Sequence, residues 1–190
     1  MKPIPIPSVP KSARDQQRTR FDTALSGNVR RIFEAIGSGC SYGKFVSTVD
    51  QVPNAANTAH AITFDRTLES NRVEMGSSPS RIVIKARGVY DFSFSAQVRS
   101  TASALRNLWF WPRLNGIDVP FSAAKISIES NGASIVPAWN FLFTMQEGDA
   151  FELYWGASST NIRLDADASN TFRPSVPSVI LIVAQVGRLE

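Results

Sequence analysis

The segment Gly88-Val89-Tyr90-Asp91-Phe92-Ser93-Phe94 decides the fold class of this chain, because aromatic side chains alternate in it with smaller or polar ones. In an extended strand, Tyr90, Phe92 and Phe94 point to one side and the residues between them point to the other. This alternation is typical of an antiparallel sheet that packs one face on a core and exposes the other. We therefore predict a half-buried β-strand here.

Further segments with strand character occupy the chain from Tyr42 onward, and turn residues separate them. The pairs Asn115-Gly116 and Asn131-Gly132 and the residue Gly148 supply the positive backbone angles that tight reversals need. Helical periodicity is missing from this region, so we predict an all-β sandwich. The predicted strands are Phe45 to Val52, Ala59 to Phe64, Arg72 to Met75, Arg81 to Ala86, Val89 to Arg99, Leu108 to Leu114, Ala124 to Glu129, Ala133 to Met145, Ala150 to Tyr154, Ile162 to Leu164 and Val179 to Val186.

The composition of the 190-residue chain is that of a folded protein with a single core. Hydrophobic residues make up 43% and charged residues 19%, which excludes wholesale disorder. The longest aliphatic run, Val179 to Ala184, is far shorter than the roughly 20 residues that span a bilayer. The amino terminus lacks the pattern of a secretory signal, and Cys40 has no second cysteine to pair with. We therefore expect maturation in a cytoplasm and no membrane insertion.

Residues suited to catalysis or metal binding are few. His60 is the only histidine, so a serine or cysteine nucleophile has no obvious base, and soft ligands are too few for a zinc site. Two acidic pairs occur, Glu147 with Asp149 and Asp165 with Asp167. Either pair could serve glycoside cleavage from within a cleft, but both occur in turn-like sequence. The sequence therefore predicts a non-enzymatic protein with no cofactor and no bound metal.

The first 41 residues differ from the rest and form a predicted anchoring arm. Residues 1–11 alternate proline with apolar side chains, which favours an extended polyproline-like segment. An apolar stripe at helical spacing predicts an α-helix over about residues 13–36, and glycines predict a hinge at residues 37–43. We expect the arm to contact a partner, while the domain of residues 42–190 projects. The apolar positions of the arm are Ile4, Ile6, Val9, Phe21, Leu25, Val29, Ile32 and Ile36.

The basic charge of the chain is concentrated in the same arm. Residues 1–40 carry seven of the 20 Lys and Arg side chains but three of the 16 Asp and Glu side chains, so the net charge of +4 arises there. Arg14 and Arg18 are available to an acidic surface on a partner, although a solvated helix is an equal alternative. Nucleic acid is not an expected partner, because arms that bind it carry denser basic blocks.

Two predicted strands are apolar on both faces, which a sandwich strand does not need. They contain Leu108 to Trp111 and Val179 to Val183. Exposed apolar patches of that size are rare on monomers, so the second faces predict self-association into a closed ring. The residues expected in the core or at the interface between subunits are Tyr90, Phe92, Phe94, Trp109, Trp111, Trp139, Phe141, Phe151, Trp155, Ile180 and Ile182.

The chain from residue 42 to residue 187 resembles a known family. Gly88 to Phe94 resembles the Gly-x-Tyr-x-Phe-x-aromatic signature of the globular heads of the complement and tumour-necrosis-factor superfamily. Met145 to Leu153 resembles the penultimate hairpin of that family. Together with Ala138 to Phe141 and Pro177 to Leu181, these segments are similar to the variant of the module in virion proteins of tailed bacteriophages.

The resemblance implies a ten-stranded antiparallel jelly roll that packs as a homotrimer. Ile82 and Met75 stand where the animal proteins have aromatic residues, so animal ligands and receptors are not implied. We expect a capsid decoration or head-fibre protein of a phage virion, assembled in the host cytoplasm. Its arm would bind the major capsid protein or another virion protein. The alternatives are a tail-fibre or receptor-binding tip that recognises a host glycan, and a small icosahedral virus coat protein with a genome-binding arm.

Overall fold

The computed structural model describes residues 39–130 and 132–189, and these residues form fifteen β-strands and no helix. Every pairing between the strands is antiparallel. The all-β class is therefore confirmed. The strands are β1 (Tyr42–Ser47), β2 (His60–Ala61), β3 (Arg66–Asn71), β4 (Val73–Met75), β5 (Ile82–Ile84), β6 (Gly88–Ala96), β7 (Val98–Ser100), β8 (Arg106–Leu114), β9 (Ile117–Asp118), β10 (Ala124–Ile128), β11 (Ser134–Ile135), β12 (Ala138–Met145), β13 (Ala150–Ala157), β14 (Ile162–Leu164) and β15 (Val179–Gly187).

Two large sheets and one small sheet contain these strands. The five-stranded sheet has the order β12-β6-β15-β1-β3. The seven-stranded sheet has the order β10-β8-β13-β5-β4, with β2 added to β13 and β9 added to β8. β11, β7 and β14 form the small sheet. Many neighbouring strands are far apart in sequence, so the chain crosses repeatedly between the large sheets, as in a jelly roll.

The two large sheets pack face to face through aromatic side chains. Phe92 of β6 stacks on Phe151 of β13 with the ring centroids 4.1 Å apart, and Phe94 of β6 packs on Phe110 of β8 at 5.2 Å. All four rings are buried. Along β6, buried residues alternate with partly exposed ones, because every second side chain of the strand enters the core. The alternation that predicted this strand thus also identifies its core-facing residues.

The Asn115-Gly116 turn joins β8 to β9 and fixes the position of the residues on either side of it. Asn115 and Gly116 have φ angles of 52° and 83°, so both lie in the left-handed region. A two-residue loop with two positive φ angles matches the right-handed twist of a hairpin. In the resulting register, Arg113 lies opposite Asp118. Both side chains are therefore on the same face of the seven-stranded sheet.

The strand boundaries differ from the sequence prediction in several places. β3 and β9 lie in segments where no strand was predicted, and two long predicted strands are each divided into two, as β6 and β7 and as β11 and β12. The ten strands expected from the resemblance are thus not confirmed as a count. Gly43 is part of β1, opposite Val183, so the hinge predicted for residues 37–43 does not extend to it. The predicted Pro-rich segment and helix of the arm lie outside the described residues.

Candidate functional site

Five of the candidate core or interface residues are buried within the single protomer. Tyr90, Phe92, Phe94, Phe151 and Trp155 are each at most 4% exposed. They belong to the core between the two large sheets, where aromatic rings pack against one another. These five side chains contribute to folding and are closed to any partner.

Two isoleucines of β15 lie on the outer face of the five-stranded sheet. Val179, Leu181 and Val183 of β15 are buried, and the alternate residues Ile180 and Ile182 point outward. Ile182 is 46% exposed. The second apolar face inferred for this strand is therefore present on the protomer surface at Ile182, while Ile180 is partly covered.

The strand β12 is an edge of the five-stranded sheet, because only β6 pairs with it. Trp139 is 48% exposed and Leu142 is 61% exposed. Phe141 and Phe143 point toward the core and are partly buried, with Phe141 stacked on Phe94 at 6.2 Å. No residue of β12 is charged. We call this strand the β12 edge.

Phe121 lies in the loop between β9 and β10, next to the β12 edge. Its side chain is fully exposed, and its φ of 60° places a bulky residue in the left-handed region. This backbone is strained for an L residue with a large side chain. Phe121 borders two grooves, one shared with Trp139 and Phe143 of the β12 edge and the other with Trp109 and Trp111 of β8.

The second groove lies on the outer face of the seven-stranded sheet, and we call it the tryptophan groove. Trp109 and Trp111 are partly exposed, while the residues that alternate with them in β8 are buried. The groove has a volume of about 590 Å³. It is lined by Trp109, Trp111, Asp118, Val119, Phe121, Ser122 and Ala123.

A network of polar and aromatic contacts holds Trp111 in place. Its indole N–H donates a hydrogen bond to Asp118 Oδ1 over 2.6 Å, and its ring packs on Tyr154 of β13 with the centroids 6.0 Å apart. Arg113 donates two hydrogen bonds to the carboxylate of Asp118, and its guanidinium lies 3.8 Å from the centre of the Tyr154 ring. Two residues, Asp118 and Tyr154, thus fix the orientation of Trp111, and Arg113 contacts both of them.

This network shifts the pKa values of its two charged residues, Asp118 and Arg113. Hydrogen bonds from Arg113, and then from Trp111, lower the pKa of the Asp118 carboxyl. The hydrogen bond to Asp118 in turn raises the pKa of the Arg113 guanidinium. Both shifts favour the charged forms, so Asp118 and Arg113 form an ion pair at the rim of the tryptophan groove.

Three of the four acidic residues considered for catalysis, Asp149, Asp165 and Asp167, make ordinary structural contacts. Asp149 accepts hydrogen bonds from the side-chain amide of Asn115 and from the backbone N–H of Gln146. Asp165 pairs with Arg163 at 2.5 Å, and Asp167 pairs with Arg173 at 2.6 Å. His60 lies in β2 and contacts the hydroxyl of Thr58. Within residues 39–130 and 132–189, no three acidic, His or Cys side chains cluster as metal ligands.

The sequence patterns did not single out several of the exposed apolar and charged residues on these surfaces. Phe121, Leu142 and Lys125 show no pattern that marks them, because their exposure depends on sheet edges formed by distant segments. Asp118 shows no pattern either, beyond its place shortly after the Asn115-Gly116 pair. The Asn115-Gly116 turn could have revealed its partner, since a two-residue loop places Arg113 opposite Asp118. The arm residues, including Arg14 and Arg18, lie outside the described residues.

Comparison with known protein families finds no family model that matches the chain, and comparison with curated proteins finds no similar protein. Among the residues that the structure describes, none forms a helix long and apolar enough to cross a membrane.

Proposed function

We propose that this protein is a non-enzymatic structural component of a phage virion, a homotrimer that decorates the capsid or forms a head fibre. The assignment to a virion and the number of subunits rest on the family resemblance at Gly88 to Phe94 and Met145 to Leu153. The proposal that the chain associates with itself has independent support in the β12 edge.

The two edges of the five-stranded sheet differ in a way that favours self-association at one of them. Natural sheets protect an exposed edge with charged residues, prolines or bulges, because its unpaired backbone groups invite pairing with another chain. β3, at one edge, carries Arg66 and Glu69. The β12 edge carries no charge and exposes Trp139 and Leu142. A partner that covers β12 accounts for this missing protection, and a second copy of the chain is always present.

The arrangement of apolar groups favours a ring over a two-fold dimer. The protruding Phe121 and the β12 edge lie on one side of the sandwich, and the outward Ile182 lies on the face of the five-stranded sheet. Two different patches on one protomer suit a head-to-tail contact, which forms a ring when the rotation between copies closes. A jelly-roll trimer is such a ring.

The arm of residues 1–41 is the proposed anchor to the capsid. Its excess of positive charge and its apolar positions suit a surface that offers carboxylates and a groove for aliphatic side chains. The domain of residues 42–190 would then project from the particle. The cytoplasm of the host is the proposed place of assembly.

The test compares one substitution at each edge of the same sheet. Leu142→Lys places a charge on the β12 edge, and Leu68→Lys places the same charge on β3, where Leu68 is also exposed. Sedimentation velocity should give trimers for the unchanged chain and for Leu68→Lys, and monomers for Leu142→Lys. A trimeric Leu142→Lys protein would place the contact elsewhere and refute the role of β12.

A second function, a receptor-binding tip on a tail fibre, has one observation in its favour. The tryptophan groove presents partly exposed aromatic rings beside the Arg113–Asp118 ion pair, and such a surface suits a glycan. Imaging particles with this protein labelled separates the two functions, because a structural decoration protein lies on the capsid and a receptor-binding tip lies on the tail.

A further inference from the structure

The tryptophan groove offers two flat aromatic faces in a row. Trp109 and Trp111 are two residues apart on β8 and point to the same side of the sheet, so they lie about 7 Å apart along the strand. Opposite Trp109 on β13 stands Gly156, which adds no side chain to that face. The backbone carbonyl of Thr58 and the ring of Trp111 occupy the space above Gly156. Both indoles remain partly exposed toward the groove.

We call the pair Trp109 and Trp111 the platform, and its Trp111 ring is held in place before any ligand arrives. Trp111 is held by its hydrogen bond to Asp118 and by Tyr154, and Arg113 is held by the same two residues. A ligand that binds to aromatic rings already fixed in place does not have to order them, so little conformational entropy is lost. Such a rigid, partly exposed cluster is typical of recognition surfaces.

Polar groups around the platform offer both donors and acceptors. Asp118 has carboxylate oxygens at the rim, and Ser122 lines the groove. Among the described residues, none accepts a hydrogen bond from the indole N–H of Trp109. A surface that is apolar on flat faces and polar at its edges matches a pyranose ring, which has a C–H face and a hydroxyl rim.

The charge beside the platform is positive. Arg113 and Asp118 neutralise each other. Lys125 of β10 lies directly opposite Trp109 in the antiparallel register, so both side chains are on the same face, with Cβ atoms about 5 Å apart. Lys125 is exposed and makes no ion pair with any residue that the structure describes. A ligand with a negative charge therefore complements this end of the groove.

We propose that the tryptophan groove binds an acidic glycan, whose sugar rings stack on Trp109 and Trp111 and whose carboxylate pairs with Lys125. The site goes beyond the structural role proposed above. The residues that would contact the glycan, Trp109, Trp111 and Lys125, lie on the seven-stranded sheet and not on the β12 edge, while Phe121 borders both surfaces.

The test begins with the full chain on an array of oligomers of galacturonic, glucuronic and sialic acid, together with their carboxyl-reduced neutral forms. The strongest acidic oligomer and its reduced form are then titrated while tryptophan fluorescence is recorded. The acidic form should bind at least tenfold more tightly than the reduced form, and the difference should shrink at high salt. Failure of every acidic oligomer to bind would overturn the proposal.

Three variants locate the site. Trp109→Ala should weaken binding at least tenfold, and Lys125→Ala should remove the preference for the acidic form while binding of the reduced form remains. Trp139→Ala, which removes an exposed tryptophan from the β12 edge, is the matched control and should bind like the unchanged chain. Thermal unfolding of each variant checks the fold.

Unchanged binding by Trp109→Ala, or loss of binding by Trp139→Ala, would contradict the assignment. Preferential binding of a proline-rich peptide to the groove would identify a different ligand class and would also contradict it. Because the oligomeric state is measured separately by sedimentation, failure of this proposal is distinguishable from failure of the trimer.

Discussion

Phe121 combines a fully exposed aromatic ring with a left-handed backbone. Forcing an L residue into that region costs about 1 kcal/mol, and the exposed ring gains nothing from burial within the protomer. A residue with a strained backbone and an unburied aromatic ring is explained if its ring is buried in the assembled protein. The strained backbone then serves to present the ring beside the β12 edge.

Two substitutions of Phe121 separate strain from contact. Phe121→Gly removes both the ring and the strain, whereas Phe121→Ala removes the ring and keeps the strained backbone. Both should weaken self-association, and the glycine variant should be more stable than the alanine variant by about 1 kcal/mol in denaturant unfolding. Equal stability of the two variants would show that the backbone at residue 121 is not strained, and unchanged association would show that the ring makes no contact.

We expect the stabilisation that the Asp118 carboxylate provides to depend on pH. Its pKa is lowered by Arg113 and Trp111 from the value of about 3.9 in an unfolded chain. The stabilisation it provides is therefore complete above about pH 4 and is lost as the pH falls through the lowered pKa. The indole N–H resonance of Trp111 should shift in an NMR titration with a midpoint below 3.9, and that of Trp109 should serve as a control. A midpoint above 3.9 would contradict the claim that Arg113 and Trp111 lower the pKa of Asp118.

The alternation of Tyr90, Phe92 and Phe94 predicts their burial correctly, because β6 has a neighbour on both sides and its inward face meets the opposite sheet. The same reasoning places Trp139 with Phe141 and Phe143 on one face of β12. Yet Trp139 remains half exposed, because β12 is an edge strand at the open side of the sandwich. Alternation indicates which way a side chain points, but not whether anything lies there to cover it.

At the level of elements, the two strands that the sequence did not predict, β3 and β9, contain no buried residue. β3 has the sequence Arg-Thr-Leu-Glu-Ser-Asn, and none of its residues is buried. Its extended form depends on pairing with β1, in a register that contains an irregularity at Lys44 and Phe45. β9 has only two residues and follows from the Asn115-Gly116 turn. Neither strand has a hydrophobic period to detect.

A cross-strand pair tests the difference between the centre and the edge of the sheet. Phe94 of β6 lies directly opposite Trp139 of β12, but only Phe94 is buried. In the monomeric Leu142→Lys background, Phe94→Ala should lower the free energy of unfolding by about 3–5 kcal/mol. Trp139→Ala should lower it by less than about 1.5 kcal/mol, because half of its surface is already in water. Denaturant unfolding of both variants gives the comparison, and equal losses would contradict the edge position of Trp139.

At the scale of the whole molecule, the sequence predicts a β-sandwich because many separate segments have strand character and turn residues separate them. The jelly-roll-like order of the strands follows from long-range pairing, as between β1 and β15, which no local pattern records. Self-association was inferred from strands with two apolar faces, and Ile182 does lie outward. The contacts between subunits depend on surfaces of different strands, so the sequence could not identify them.

The proposed role of the arm as an anchor is tested by binding to virus particles. Residues from Cys40 onward form a compact unit, so deletion of residues 1–39 should leave a folded, self-associating protein that no longer binds virions. Because burial of a large apolar side chain is worth about 1.5–3 kcal/mol and an exposed ion pair at most about 1 kcal/mol, Phe21→Ala with Leu25→Ala should weaken binding more than Arg14→Ala with Arg18→Ala. Co-sedimentation with particles measures both, and wild-type occupancy by the truncated protein would place the anchor in the β-sandwich.

The central claim is that the β12 edge is covered by another copy of this chain in a closed ring. Native mass spectrometry of the full chain over a hundredfold range of concentration tests it most directly. We predict a complex with the mass of three chains and no larger species, because a closed ring leaves no β12 edge free. A monomer at every concentration, or a ladder of open oligomers, would contradict the claim.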